Sequence, residues 1–160
     1  MWNSKPPILI AEDDSNDVHL FNRTLKKIGI NSPVQIVEDG EEAMCYLRGE
    51  GRYADRGIYP FPSMVITDIK MPRKNGFDVL MWLKRHPECS IIPIIVWTSS
   101  NQECDILKAY QLGANCYLQK PHSATDWCDT IALIFKFWEI CEKPSVQLAK
   151  CAETASPAAV

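Results

Sequence analysis

Ser63-Met64-Val65-Ile66-Thr67-Asp68 is a short apolar run that ends in an acid, and Ile69-Lys70-Met71-Pro72-Arg73-Lys74-Asn75-Gly76 follows it. A second run, Pro7-Ile8-Leu9-Ile10-Ala11, ends in Glu12-Asp13-Asp14. Two strand-like runs that both deliver carboxylates at their C-terminal ends point to an open parallel sheet. In such a sheet neighbouring strands end on one edge, and ligands bind there.

Working outward, five apolar strand-like runs alternate with helix-like patterns. The strands are expected near 7–12, 33–38, 63–68, 92–98 and 115–119. Pro33, Pro62 and Pro93 stand at or near strand starts, where proline is tolerated. A first helix is expected from Asp14 or Ser15, with Val18, Phe21, Leu25 and Ile28 at helical spacing and Gly29 as its C-terminal cap. A second covers 40–48, and a third runs from 75 to 86 and stops at Pro87. Ser100-Asn101-Gln102-Glu103 reads as a capping box that opens a fourth helix ending at Gly113. The fifth covers 123–142, before Pro144. Strands alternating with helices predict an α/β fold, a doubly wound parallel sheet covered on both faces.

The bulk properties agree with one domain. The chain has 160 residues, 46% of them hydrophobic, and a net charge of -3. That charge argues against a polyanion-binding surface, so nucleic acid is not an expected direct partner. No leader pattern opens the chain. No apolar run approaches the roughly 20 residues needed to span a bilayer. The seven cysteines, at 45, 89, 104, 116, 128, 141 and 151, form no C-x-x-C pair. They read as reduced thiols used as small hydrophobes, which suits a cytoplasmic protein. His19, His86 and His122 share no ligand spacing. Residues 143–160 carry no sustained apolar pattern and read as a flexible tail after a domain spanning 1–142.

Three or four carboxylates on one sheet edge repel one another unless they hold a hard cation. Mg²⁺ takes oxygen ligands, keeps several waters and uses one or two carboxylates. Asp13 and Asp68 suit direct ligation, Glu12 suits ligation through water, and a carbonyl just after Asp68 offers a further oxygen. Asp14 reads instead as a helix cap. Thr98 ends the fourth strand and Lys120 the fifth, so four strand ends bring acid, acid, hydroxyl and ammonium to one edge. Taken singly, such a threonine reflects β-propensity and such a lysine is solvated. Together they suggest a carboxylate nucleophile that forms an acyl phosphate, with cation and ammonium neutralising the transferred group.

At these residues the chain resembles the receiver domain of bacterial two-component response regulators, similar to the single-domain chemotaxis receiver. The matching segments are Ile8 to Asp14, Thr67 to Pro72 with Asn75-Gly76, Trp97-Thr98-Ser99, and Tyr117-Leu118-Gln119-Lys120-Pro121. The similarity spans residues 6–142, and the intervals 68 to 98 and 98 to 120 are those the family shows. The resemblance implies a flavodoxin-like sheet of order 2-1-3-4-5 with five helices. It implies that Asp68 accepts a phosphoryl group from a sensor histidine kinase. Glu12 and Asp13 would be the acidic pair that holds Mg²⁺ with Asp68 and the Lys70 carbonyl. Thr98 and Lys120 would engage the phosphoryl group, and Tyr117 would be the aromatic switch, turning inward as Thr98 moves. A phosphohydrolase with an aspartyl-phosphate intermediate is a rival, but such enzymes commonly place an acid two residues after the nucleophile, where this chain has Lys70. A docking module without phosphorylation is a second rival, disfavoured by the intact set Glu12, Asp13, Asp68, Thr98 and Lys120.

Three features depart from the plain pattern. The stretch 49–62 exceeds the usual connection of about 2–6 residues. It offers either a docking surface built on Tyr53, Tyr59, Phe61, Arg52 and Arg56, or a loop anchored on its own domain. A loop of this length resembles the stand-alone receivers paired with phytochrome-type histidine kinases. Lys70, Arg73 and Lys74 make the rim of the site basic, which suits steering of a phosphorylated donor or a plain solvated loop. On the fifth helix Trp127, Ile131, Ile134 and Trp138 form one stripe, while Leu133, Phe137 and Ile140 fall on nearly the opposite side. A helix apolar on two sides needs a second cover, which either the tail or another subunit could supply, and of these a homodimer through Leu133, Phe137 and Ile140 is expected.

Overall fold

The computed structural model of the chain describes residues 5–142; the expected tail, 143–160, lies outside the described residues. The element order is β1 (Ile8–Ala11), α1 (Ser15–Lys27), β2 (Val34–Val37), α2 (Gly40–Arg48), a 3-10 turn (Gly51–Tyr53), β3 (Met64–Thr67), α3 (Gly76–Arg85), β4 (Ile94–Thr98), α4 (Glu103–Gln111), β5 (Cys116–Gln119) and α5 (Ala124–Ile140). The strands form one sheet in the order β2-β1-β3-β4-β5, and every pairing is parallel. The five expected strands are all present, trimmed by a residue or two at their ends.

Side chains alternate between sheet faces with a period of two, and both faces are covered. Leu9, Ala11, Val65, Ile94 and Val96 join one buried cluster with residues of α2, α3 and α4. Ile8, Ile10, Met64, Ile66, Ile95 and Trp97 join the other with Phe21 and Leu25 of α1 and Trp127, Ile131 and Phe135 of α5. The prolines sit where strand ends tolerate them. The Pro33 carbonyl accepts from Ile8 N–H and the Pro93 carbonyl from Val65 N–H, each at 2.9 Å.

Helix starts are fixed by short polar side chains. Asp14 is the N-cap of α1 and accepts from Asn16 N–H at 2.8 Å. Asp39 caps α2 through Glu42 N–H at 2.9 Å. The capping box expected at Ser100 is absent. Gln102 is the N-cap of α4 and makes no side-chain cap. Ser100 lies outside the helix because its hydroxyl donates to Asp105 at 2.6 Å and its carbonyl accepts from the Tyr117 hydroxyl at 3.0 Å. A reciprocal box forms at α3 instead, between Asn75 and Asp78.

The long 49–62 stretch is anchored on its own domain. Tyr53 is buried, and Tyr46, Tyr53 and Tyr59 pack edge to face with centroids 5.0 to 6.2 Å apart. Arg56 turns inward, donating to the carbonyls of Tyr46 at 2.8 Å and Leu47 at 2.7 Å. It thereby reinforces the Tyr46 carbonyl, which also accepts from Gly49 N–H, and pairs the Leu47 carbonyl at the end of α2. Its guanidinium also lies 4.0 Å from the Phe61 ring centroid. Of the two alternatives for this loop, the docking surface loses Tyr53 and Arg56 to the interior.

On α5, Trp127 and Ile131 are buried as expected, Ile134 and Trp138 pack partly buried against the same cluster, and Phe135 joins them. Leu133, Phe137 and Ile140 are 68%, 63% and 81% exposed. No described cysteine is in a disulfide, and no described helix is long and apolar enough to cross a membrane.

Candidate functional site

The strand ends converge at the C-terminal edge because adjacent parallel strands are in register. Ala11 pairs with Thr67, Thr67 with Val96, and Thr98 with Gln119. Glu12 and Asp68 therefore emerge side by side, while Lys120 follows two residues beyond Leu118, the β5 position on their row, and its long side chain reaches them. Asp68 N–H donates to Ala11 O at 3.0 Å, and Lys120 N–H to Thr98 O at 2.7 Å.

Lys120 is the hub. Its side chain is 9% exposed, and Nζ donates to Glu12 Oε2 at 2.7 Å, Asp17 Oδ2 at 2.7 Å and Asp68 Oδ2 at 2.6 Å. Burial would lower the pKa of this ammonium, but hydrogen bonds to Asp17, Asp68 and Glu12 outweigh it and hold the lysine above its usual range. Asp68 is buried, and its other oxygen, Oδ1, accepts from Ile69 N–H at 2.6 Å. Glu12 is also buried, and Oε1 accepts from Asp14 N–H at 3.1 Å. Burial raises the Glu12 pKa from 4.5 to about 7, against the pull of Lys120. A carboxyl that far from water favours its neutral form unless a cation holds it charged.

Ligand oxygens of Glu12, Asp13 and Asp68 lie within 4.8 Å of one another. Asp13 is exposed, so one side of this oxygen set opens to solvent. Carboxylate oxygens with an open side match what a small divalent cation that keeps several waters requires.

The loop after Asp68 is tied down at both ends. A Cβ on Gly76 would stand 2.2 Å from the Asp68 carbonyl oxygen, so only glycine lets α3 start this close to the strand end. Arg73 has φ 59°, in the left-handed region that side chains disfavour. Its guanidinium is held by the buried Asp39 carboxylate, with Nε 2.7 Å from Oδ2. Lys70 sits exposed within this loop.

Thr98 is fully buried, and its Oγ1 accepts from Ser100 N–H at 3.3 Å. Tyr117 is half-buried, and its hydroxyl already donates to Ser100 O at 3.0 Å. This contact places the Tyr117 hydroxyl against the loop just beyond Thr98, the segment on which the expected switch turns. Leu133, Phe137 and Ile140 are not brought into this cluster and lie exposed on α5.

One member of the site escapes the sequence reading. Asp17, in the first turn of α1, meets Lys120 as closely as Glu12 does.

A family model described as the response regulator receiver domain matches residues 8–132. The chain belongs to the response regulator receiver family. The receiver is 35% identical over 137 residues to response regulator Rcp1 of Synechocystis sp., covering 84% of this chain and 91% of Rcp1. Among solved structures, the phosphorylated cyanobacterial phytochrome response regulator RcpA superposes with a TM-score of 0.81 at 33% identity, over 89% of this receiver and 100% of RcpA. The Mn²⁺-bound form of Rcp1 superposes with a TM-score of 0.80 at 33% identity, over 88% and 100%. The receiver is accordingly a two-component signalling protein with a phosphoacceptor role, not an enzyme, and its acidic pocket is of the kind that receivers use for divalent metal.

Proposed function

We propose that Asp68 is the phosphoacceptor, taking its phosphoryl group from the phosphohistidine of a sensor kinase. The observation that carries this reading is the Lys120 ammonium, set 2.6 Å from Asp68 inside a ring of carboxylates. The carboxylate attacks phosphorus, the P–N bond to the histidine breaks, and an acyl phosphate forms. Both Asp68 oxygens are hydrogen-bonded beforehand. Lys120 is the donor able to follow the incoming phosphoryl oxygens, because the Ile69 amide is fixed in the backbone. Glu12, Asp13, Asp68 and the Lys70 carbonyl would hold Mg²⁺, which supplies neutralisation of charge on the transferred group. The Thr98 hydroxyl supplies a further hydrogen bond. A phosphoryl group adds roughly -1.5 to -2 charge, and drawing Thr98 toward it would bias whether Tyr117 keeps its bond to Ser100, two residues on.

The kinase is proposed to be of the phytochrome type, on the strength of the Rcp1 and RcpA likeness, with the exchange in the cytoplasm. Calorimetric titration with beryllofluoride, a phosphoryl mimic, tests the site. Binding that requires Mg²⁺ is expected; heat that is the same without Mg²⁺ would sink the assignment.

The metal reading carries a pH prediction. Between 4.5 and about 7 folded Glu12 holds a proton that the unfolded chain has lost. Its contribution to stability is full below 4.5 and disappears as pH rises through about 7. A cation needs the carboxylate, so Mg²⁺ affinity should climb with pH by up to about tenfold per unit below that value and level off above it. Glu12→Gln should flatten the climb. Affinities measured at pH steps check both.

We also propose that the outer α5 face joins two copies of the chain. Three exposed large apolar side chains, Leu133, Phe137 and Ile140, support it. In sedimentation the wild type should show a concentration-dependent dimer and Phe137→Glu a monomer. A wild type that stays monomeric at every concentration, with and without beryllofluoride, removes the proposal.

A further inference from the structure

The start of α1 is capped in a way that frees one carboxylate. Asp14 is the N-cap, and Asp17 occupies the third helical position. An acid there ordinarily reaches back to the N-cap amide and completes a reciprocal box. The chain builds that box at α3, where Asp78 Oδ2 accepts from Asn75 N–H at 2.9 Å and Asn75 accepts from Asp78 N–H at 3.0 Å. At α1 the equivalent amide, that of Asp14, donates to Glu12 instead. Asp17 makes no capping bond, and its Oδ2 takes a donor far away in sequence, Lys120 Nζ, at 2.7 Å.

A lysine ammonium has three N–H donors, and here Glu12, Asp17 and Asp68 engage all three. Two of these carboxylates change role when the site is loaded: Glu12 turns to the cation, and Asp68 carries the phosphoryl group. Asp17 stands outside the set Glu12, Asp13 and Asp68 whose oxygens converge. It remains the constant partner of the ammonium.

We infer that Asp17 is a positioning residue for Lys120, holding the ammonium over Asp68 while Glu12 and Asp68 are engaged elsewhere, and so setting the affinity of the loaded site for a phosphoryl group. This rests on the phosphoacceptor reading of Asp68. The sign of its effect separates positioning from simple electrostatics. A carboxylate close to an anion repels it, so if Asp17 acted only as a nearby charge, its removal would tighten anion binding. If it positions Lys120, its removal weakens binding.

The test is beryllofluoride titration at saturating Mg²⁺, followed by intrinsic fluorescence. Trp97 and Trp127 line the small cavity beneath the site together with Glu12, Asp17 and Asp68, so they report its state. Asp17→Ala is expected to weaken beryllofluoride about tenfold, the scale typical of losing a residue that orients a ligand-binding group. Asp17→Asn, which keeps an acceptor oxygen for the ammonium, should recover most of the loss, whereas a merely structural defect would not follow the acceptor. Thermal midpoints control for folding, and Asp17→Ser carries the same measurement should Asp17→Ala fail to fold. Unchanged or tighter binding in Asp17→Ala, or in Asp17→Ser where that variant replaces it, overturns the inference while leaving the phosphoacceptor reading intact, as does an Asp17→Asn no better than Asp17→Ala. A wild type that binds no beryllofluoride with Mg²⁺ overturns both.

Discussion

Asp68→Asn is expected to carry no phosphoryl group after incubation with Mg²⁺ and a small donor such as phosphoramidate, where the wild type gains one that hydroxylamine removes. The amide is close in size to the carboxylate and can still accept from Ile69 N–H, which Asp68 Oδ1 does at 2.6 Å. The variant should therefore fold, and its failure should be chemical. An amide oxygen is a poor nucleophile toward phosphorus and yields no stable acyl phosphate. Intact mass measured over time decides it. A gain in the variant equal to that of the wild type would mean that another side chain takes the group, and the exposed Asp13 would be the first to test.

Lys120→Met should give the largest loss of stability. It removes the ammonium that joins Glu12, Asp17 and Asp68 and leaves buried carboxylates facing one another. Breaking a buried ion pair by removing one partner costs about 3–5 kcal/mol, because the charge left behind is uncompensated. For a domain of this size that corresponds to roughly 10 °C in the unfolding midpoint. The sign with pH follows from the same groups. Without the lysine the cluster binds protons more readily in the folded state, so the deficit should be largest above pH 7 and shrink on acidification. Divalent cation should restore part of the loss, since it takes over the neutralising charge. Calorimetric melts at two pH values, with and without Mg²⁺, test each part. A variant as stable as the wild type at pH 8 without metal would show that Lys120 is no keystone of the apo site.

The sequence reveals this site well where function depends on strand ends. Apolar runs closed by Glu12-Asp13, Asp68, Thr98 and Lys120 mark both the sheet and its edge, because parallel strands buried on both faces read as continuous apolar segments. Asp17 is hidden by a local pattern. Asp14-Ser15-Asn16-Asp17 looks like a helix cap with its reciprocal acid, and nothing nearby says that Glu12 takes over the Asp14 amide. Ser100-Asn101-Gln102-Glu103 misleads for the opposite reason, since contacts with Tyr117 and Asp105 draw Ser100 out of the helix start. On α5, Phe135 lies eight residues beyond Trp127 and shares its buried face, a helical repeat as good as those of Ile134 and Trp138. The orientation of Arg56 is set by tertiary contact: an arginine in a long loop ordinarily reads as solvated, and here it closes the end of α2.

That arginine has a mechanical consequence. With Tyr46, Tyr53 and Tyr59 packed edge to face and the guanidinium bonded to the Tyr46 and Leu47 carbonyls, the 49–62 segment is tied to its own domain at several points. The conformational entropy of ordering it is therefore lost during folding, and Arg56→Ala would release several of those ties at once.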